Sequence, residues 1–502
     1  MSFPGQAHHP HTPGNPPLAH QLHLAAAPSP SPSGGEHPPY VPPGLELVHA
    51  SWFVRHGERA PVRQRLVGVG SIPPYFPLCS IGRDFRAAVL SFSPPASSSD
   101  PPVSTAKDGA PPPPQALLPG VREVRAQRTE MDVRRVTEDP GEGAKGVRGG
   151  MRDCEWGELT DLGRLSTLTL GRTLRSLYIT QLSFLPPVLT PSTAHLVSFR
   201  STNMPRTIES LQQVVEGMWS GVNGERGEGA KVKFAVRHWS TEDLYPNTNC
   251  RRLRELDAAS IKQAALNHNP ELAKLDAVLE PIVGHPVRID SSPRANGILD
   301  TLLVCRAHGI ALPPSIEARA EEVLGGLERA VVREWFDAYS PTSNPSTHAE
   351  FRRLAMGRLL SSLRQSMQAK IEDPREEKVK ERLAVYSCHD TSLGGILNTL
   401  DVFDGRWPPF TSHIAIELFR RPTPPSFLSS LVPSFFRPTS PHFVRLRYNS
   451  RTLRLPACAA AGNHLEGSEG EVCTWEAFKS ALEGVEMGQG EWRRCCGGRT
   501  AA

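Results

Sequence analysis

The chain has 502 residues, enough for two or three average domains, but 49 prolines and 41 glycines mark much of it as loop rather than core. Its formal net charge of +4, from 56 Lys and Arg against 52 Asp and Glu, is too evenly balanced for the concentrated basic stripe of a nucleic-acid binder. No uninterrupted apolar stretch is long enough to cross a bilayer as a helix, so no transmembrane segment is expected.

Residues 1–43 are rich in Pro, His, Ala and Ser and offer too little apolar surface to offset chain entropy, so a disordered tail is expected there. His8, His9 and His11 within it read as solvated side chains rather than a metal site. The first Lys or Arg is Arg55, which leaves neither the basic start of a signal peptide nor the Arg-rich face of a mitochondrial presequence. Asn344 is followed by Pro345, so no glycosylation acceptor is present. Nine cysteines, an odd number without a CxxC pair, fit reduced thiols better than a disulfide framework, and the expected location is intracellular and cytoplasmic. Cys458 and Cys473, flanking a short loop, form the one pair worth watching.

The apolar and aromatic run Leu45–Val54 predicts a buried strand that delivers Arg55 and His56 at its carboxyl end, within Arg55-His56-Gly57-Glu58-Arg59-Ala60-Pro61. Residues 91–150 follow as a Pro/Ser/Gly-rich low-complexity insert, expected to hang outside the fold. A second strand, His195–Phe199, leads past Arg200 into a helix started by Pro205, whose apolar stripe is Ile208, Leu211, Val215, Met218 and Trp219. Residues of about 229–380 read as a mostly helical cap, with Ile316, Ala320, Val323, Leu324, Leu327, Val331 and Trp335 at helical period. The third strand, Leu383–Cys388, runs into His389 and Asp390 at the start of another helix. Residues 491–502 are expected to be a disordered tail.

Three strand ends thus carry cations, histidines or an acid, and in open α/β sheets ligands bind beyond the carboxyl ends of the strands. Arg55, Arg59, Arg200 and His389 can converge there on one phosphate, arginine supplying forked donors that match its oxygens. A histidine among arginines stays neutral easily, so a ring nitrogen of His56 can attack phosphorus, with Asp390 giving a proton to the departing alkoxide and taking one from water. No stretch gathers carboxylate and histidine at metal-site spacing, so neither metal nor cofactor is expected.

With "RHGERAP" and "CHDTSLGG" intact, the sequence resembles the histidine acid phosphatase family of the phosphoglycerate-mutase-like superfamily. Supporting stretches are "GELTDLGRLSTLTLGRTLRSLY", "FRSTNMPRTIES" and "LYPNTNC"; "DVFDGRWPPFTSHIAIELF" and "VRLRYNSRTLRLPAC" look most like the lysophosphatidic-acid phosphatase branch. The resemblance implies an α/β/α sandwich with a helical cap, over a phosphatase domain at 44–490. It matches His56 to the family's nucleophile, Asp390 to its proton donor, and Arg55, Arg59, Arg200 and His389 to its phosphate-binding residues. The expected function is hydrolysis of small phosphate monoesters, lysophosphatidic acid among them, with a mitochondrial location as the alternative that the branch implies. A phytase-like or mutase-like phosphotransferase, and a silent phosphate- or lipid-binding protein, are the rival readings.

Overall fold

In the computed structural model of the chain, residues 39–66, 68–81, 84–92, 126–134, 153–219, 232–372, 381–422 and 441–496 are described. The centre is β1 (Glu46–Arg55), whose last seven residues are all buried, as a strand covered on both faces must be. It pairs in parallel with β6 (Leu383–Cys388) and antiparallel with β7 (His413–Arg420). Beyond β6 lie β4 (Val197–Ser201) and the edge strand β5 (Phe234–Val236), both parallel to it. Beyond β7 lie β8 (His442–Tyr448), β9 (Arg451–Leu453) and β10 (Val472–Thr474), giving a mixed eight-stranded sheet. The third strand has the bounds read from its apolar run. The second starts two residues later than expected, because Ala194–Leu196 form a 3-10 turn.

Period-two alternation along β1 divides the core. Trp52 and Val54 face α1 (Asp161–Leu174) and α2 (Pro205–Trp219), packing with Leu170, Leu174, Leu211 and Met218. Phe53 faces the opposite layer, built from α8 (His348–Glu372), α9 (Asp390–Thr399), α10 (Trp475–Leu482) and α11 (Gln489–Cys495). The expected α/β/α sandwich is therefore present.

The cap is narrower than the sequence suggested. Its core joins Ile72 and Phe76 to α4 (Asp276–Val283), α5 (Ala295–Ala307), α6 (Pro314–Glu317) and α7 (Ala320–Phe336). By contrast α8 buries Phe351, Met356, Leu360 and Leu363 in the same cluster as Phe53 and Ile414, so it belongs to the sandwich. The 23-residue α3 (Arg251–Ala273) joins the two: Leu253 and Leu256 pack in the sandwich, Ala264, Ala265 and Leu272 in the cap.

Other expectations change. Three disulfides, Cys79–Cys154, Cys250–Cys496 and Cys458–Cys473, replace the reduced thiols, leaving Cys305, Cys388 and Cys495 free. Such bonds persist in oxidising compartments, which removes the chemical basis for a cytoplasmic location. The expected C-terminal tail begins too early, since α11 buries Trp492 and Cys496 is bonded to Cys250. Within the expected insert at 91–150, residues 91–92 end β2 (Asp84–Phe92) and residues 126–134 form β3 (Ala126–Arg134), which pairs antiparallel with β2; its remainder, and the expected tail to residue 38, lie outside the described residues. Among the described residues no helix is long and apolar enough to cross a membrane.

Candidate active site

β1 and β6 run parallel with level ends, Arg55 opposite Cys388, so the residues that follow, His56 and His389, meet above the sheet with ring centroids 5.7 Å apart. The His56 amide donates to the Cys388 carbonyl at 3.1 Å, locking the two strand ends together. The loop after His56 lies hard against α1, where a Cβ on Gly57 would stand 2.3 Å from the Gly163 carbonyl oxygen. Only a glycine fits there. The Gly57 amide donates to Ser210 Oγ on α2 at 3.1 Å, which ties the same loop to that helix.

These elements floor a cleft of about 770 Å³ between the sandwich and the cap. Arg55, His56, Arg59, His389 and Asp390 all line it, as the sequence predicted. Arg200 does not. Its guanidinium is held by Glu242 and Asp243, both nearly fully buried, and its place at the cleft is taken by Arg206 on the first turn of α2. Strand-end position does not single out Arg206, which sits on the helix that follows, although the "NMPRT" start places a cation at an N-terminus facing the cleft.

The local electrostatics suit nucleophilic attack. His56 Nδ1 lies 2.9 Å from the Gly57 carbonyl, which can only accept, so the proton sits on Nδ1 and Nε2 keeps its lone pair. Burial, then Arg206, Arg55 and Arg59, push the His56 pKa well below the ordinary histidine value. His389 is lowered to about 3 by burial and by Arg206, and its Nε2 lies 3.0 Å from Thr202 Oγ1. Asp390 starts α9 and pairs with Arg55 at 2.7 Å. Burial opposes its charge, but Arg55, Arg59 and His389 together hold its carboxyl below the usual range. The Arg55 guanidinium is clamped over the Phe410 ring, 4.2 Å from its centroid.

One end of the cleft is therefore cationic, and the far wall is apolar, with Leu299, Leu303, Val331, Trp335 and Trp407. Arg59 also meets a carboxylate from the cap, Asp300, at 2.8 Å.

A family model described as histidine phosphatase superfamily (branch 2) matches residues 127–278 and 333–449. A Schizosaccharomyces pombe protein named as a probable acid phosphatase is 35% identical over 382 residues, covering 75% of this chain and 73% of its own. Human lysophosphatidic acid phosphatase type 6 is 26% identical over 267 residues, covering 53% of this chain and 57% of that protein. Among solved structures, the multiple inositol polyphosphate phosphatase of Bifidobacterium longum covers 91% of this chain and 96% of its own at a TM-score of 0.51, with 11% identity. That last likeness concerns the fold.

Proposed function

The chain belongs to branch 2 of the histidine phosphatase superfamily and is a phosphomonoesterase, and from that premise we propose a two-step reaction through a phosphohistidine on His56. In the first step Nε2 of His56 forms the N–P bond while the ester P–O bond breaks, and the departing oxygen takes a proton from Asp390. In the second, the Asp390 carboxylate accepts a proton from water as that oxygen attacks phosphorus; the N–P bond breaks and inorganic phosphate leaves. Arg55, Arg59, Arg206 and His389 hold the phosphoryl oxygens throughout. Asp390, ionised beside Arg55 before substrate arrives, gains its proton when an incoming phosphate engages Arg55 and adds its own negative charge, so the substrate monoanion is the productive form.

The observation that carries this reading is the His56 tautomer, fixed by the Gly57 carbonyl with Nε2 bare among three arginines. The apolar far wall supports substrates whose leaving group is hydrocarbon-like, and the likeness to lysophosphatidic acid phosphatases supports a lysophospholipid as one of them. The test is phosphate release from p-nitrophenyl phosphate and lysophosphatidic acid, with EDTA present, by the wild type and by His56→Ala. Release that disappears in the variant, with an alkali-stable phosphoprotein trapped only in the wild type, is expected. Transfer of phosphate to added alcohols in place of water would favour the phosphotransferase alternative.

A further inference from the structure

A carboxylate beside a phosphate cradle is an unexpected neighbour. Asp300 reaches down from α5 of the cap, and both of its oxygens are engaged: Oδ1 with Arg59 Nη2 at 2.8 Å, and Oδ2 with the Val62 amide at 3.2 Å. With its side chain only 16% exposed and pinned at both ends, it cannot swing away when an anion enters. Counted over the whole lining, five arginines face four carboxylates, so the cleft carries a net positive charge of one, no more than a single phosphate monoanion balances. Two of those arginines have no ion-pair partner among the described residues: Arg206, on the floor, and Arg65, laid across Gly297 of α5 toward the cap.

We propose that Asp300 is a specificity-determining residue that acts as a charge filter, admitting esters with a single phosphate on a neutral leaving group and rejecting those with a second phosphate. The inference rests on the phosphomonoesterase reading of the same cleft. A first phosphate gains more from Arg55, Arg59, Arg206 and the neutral histidines than it loses to Asp300. A second phosphate, carried further out toward the cap, meets a fixed negative charge; of the arginines left, Arg406 is paired with Glu328 and Arg65 has no ion-pair partner among the described residues, and the field of Arg65 is itself drawn down by Asp300, the acid that acts on it most strongly. One charge pair at about 6 Å in an effective dielectric of about 20 shifts affinity by about a hundredfold, and salt screening reduces this at the cleft mouth. The apolar wall of Leu299, Leu303 and Val331 behind Asp300 fits the same choice of an uncharged leaving group.

The test compares wild type, Asp300→Asn, which keeps the shape and one acceptor, and Asp300→Ser as a second variant should the first disturb the cap. The ratio of kcat/KM for inositol hexakisphosphate to that for p-nitrophenyl phosphate is measured in each, with titration calorimetry of tripolyphosphate and inorganic phosphate alongside. The expected result is at least a tenfold rise in both ratios, of turnover and of affinity, in favour of the polyanion. Equal losses on both substrates would reduce Asp300 to a prop for Arg59 and overturn the filter, as would a wild type that already prefers the polyphosphate. Folded wild-type protein inactive on every ester would overturn the phosphatase reading instead, while the calorimetric ratio would still decide the role of Asp300.

Discussion

Arg200 and Arg206 lie in one short stretch of chain, and the structure sends them to different tasks. Arg200 is the penultimate residue of β4, where its guanidinium bridges Glu242 and Asp243 beside the sheet. Arg206 is on the first turn of α2 and lines the cleft, where its charge is the first that His56 feels after burial itself. Arg206→Ala should therefore lower kcat/KM for p-nitrophenyl phosphate by about a hundredfold or more, the scale of one donor lost from a charged transition state, with little change in melting temperature. Arg200→Ala should do the reverse. It strands Glu242, which is 1% exposed, and costs about 3 kcal/mol of stability while kcat/KM at a permissive temperature stays within about threefold. Thermal melts and steady-state kinetics on the two purified variants distinguish the assignments; a swap of the two phenotypes would restore Arg200 to the phosphate. The motif residues Arg55, His56, Arg59, His389 and Asp390 were legible because each ends, directly follows or closely trails a strand marked by its apolar run. Arg206 was hidden by the intervening turn, which strand-end reasoning does not count.

At the scale of elements, apolar pattern located β1, β6 and α2 because each buries a continuous run or a regular stripe. It could not divide the helices of residues 251–372 between two cores. Helix α8 is apolar enough for either, and only the three-dimensional partners Phe53 and Ile414 assign it to the sandwich. Cysteine pairing was opaque for a similar reason: bonds spanning 75 and 246 residues leave no local spacing to read, and three unpaired cysteines make the number odd. Only the bond spanning 15 residues was visible as a close pair. The longest of them, Cys250–Cys496, fastens the residue after α11 to the N-cap of α3, and neither cysteine lines the cleft. Cys250→Ser should cost about 2 to 5 kcal/mol, chiefly by freeing the unfolded chain and the packing of Trp492, yet leave kcat on p-nitrophenyl phosphate near the wild-type value at 25 °C. Reductant should lower the wild-type melting temperature in the same direction. An unchanged melting temperature in Cys250→Ser would mean that α11 holds its place by packing alone.

The molecule as a whole stores neutral histidine, and that couples catalysis to stability in opposite senses. Burial holds His49 and His389 at about 3 and His413 at about 4, with His56 also depressed, whereas the unfolded chain binds protons at the ordinary histidine value. A depressed folded pKa means stability that is complete above about pH 6.5 and drains as pH falls toward the folded values, by about 1.4 kcal/mol per pH unit for each such group. Glu334, raised to about 7 by burial, runs the other way, since its contribution is complete below about 4.5 and is lost as pH rises through 7. Six lowered histidines, counting His308 and His442, against the raised Glu58, Asp257 and Glu334 leave a net loss on acidification. Under the proposed mechanism catalysis responds differently: His56 stays neutral through the same interval, and the proton that Asp390 and the substrate monoanion would need becomes more available. From pH 7 to 5, kcat/KM should therefore hold or rise while the melting temperature falls, and saturating inorganic phosphate should offset part of that fall by binding only the folded state. His49 isolates the stability arm, because it lies in the sheet away from the cleft, with Nδ1 3.3 Å from the Glu381 carbonyl and Nε2 2.9 Å from Ser51 Oγ. His49→Gln can keep both hydrogen bonds without titrating, so denaturant titrations across pH 7 to 5 should show the acid slope shallower by about 1.4 kcal/mol per pH unit with the activity profile unmoved. An unchanged slope would show that His49 reaches water in the native state, and an altered activity profile would show that its proton is felt at His56 through β1.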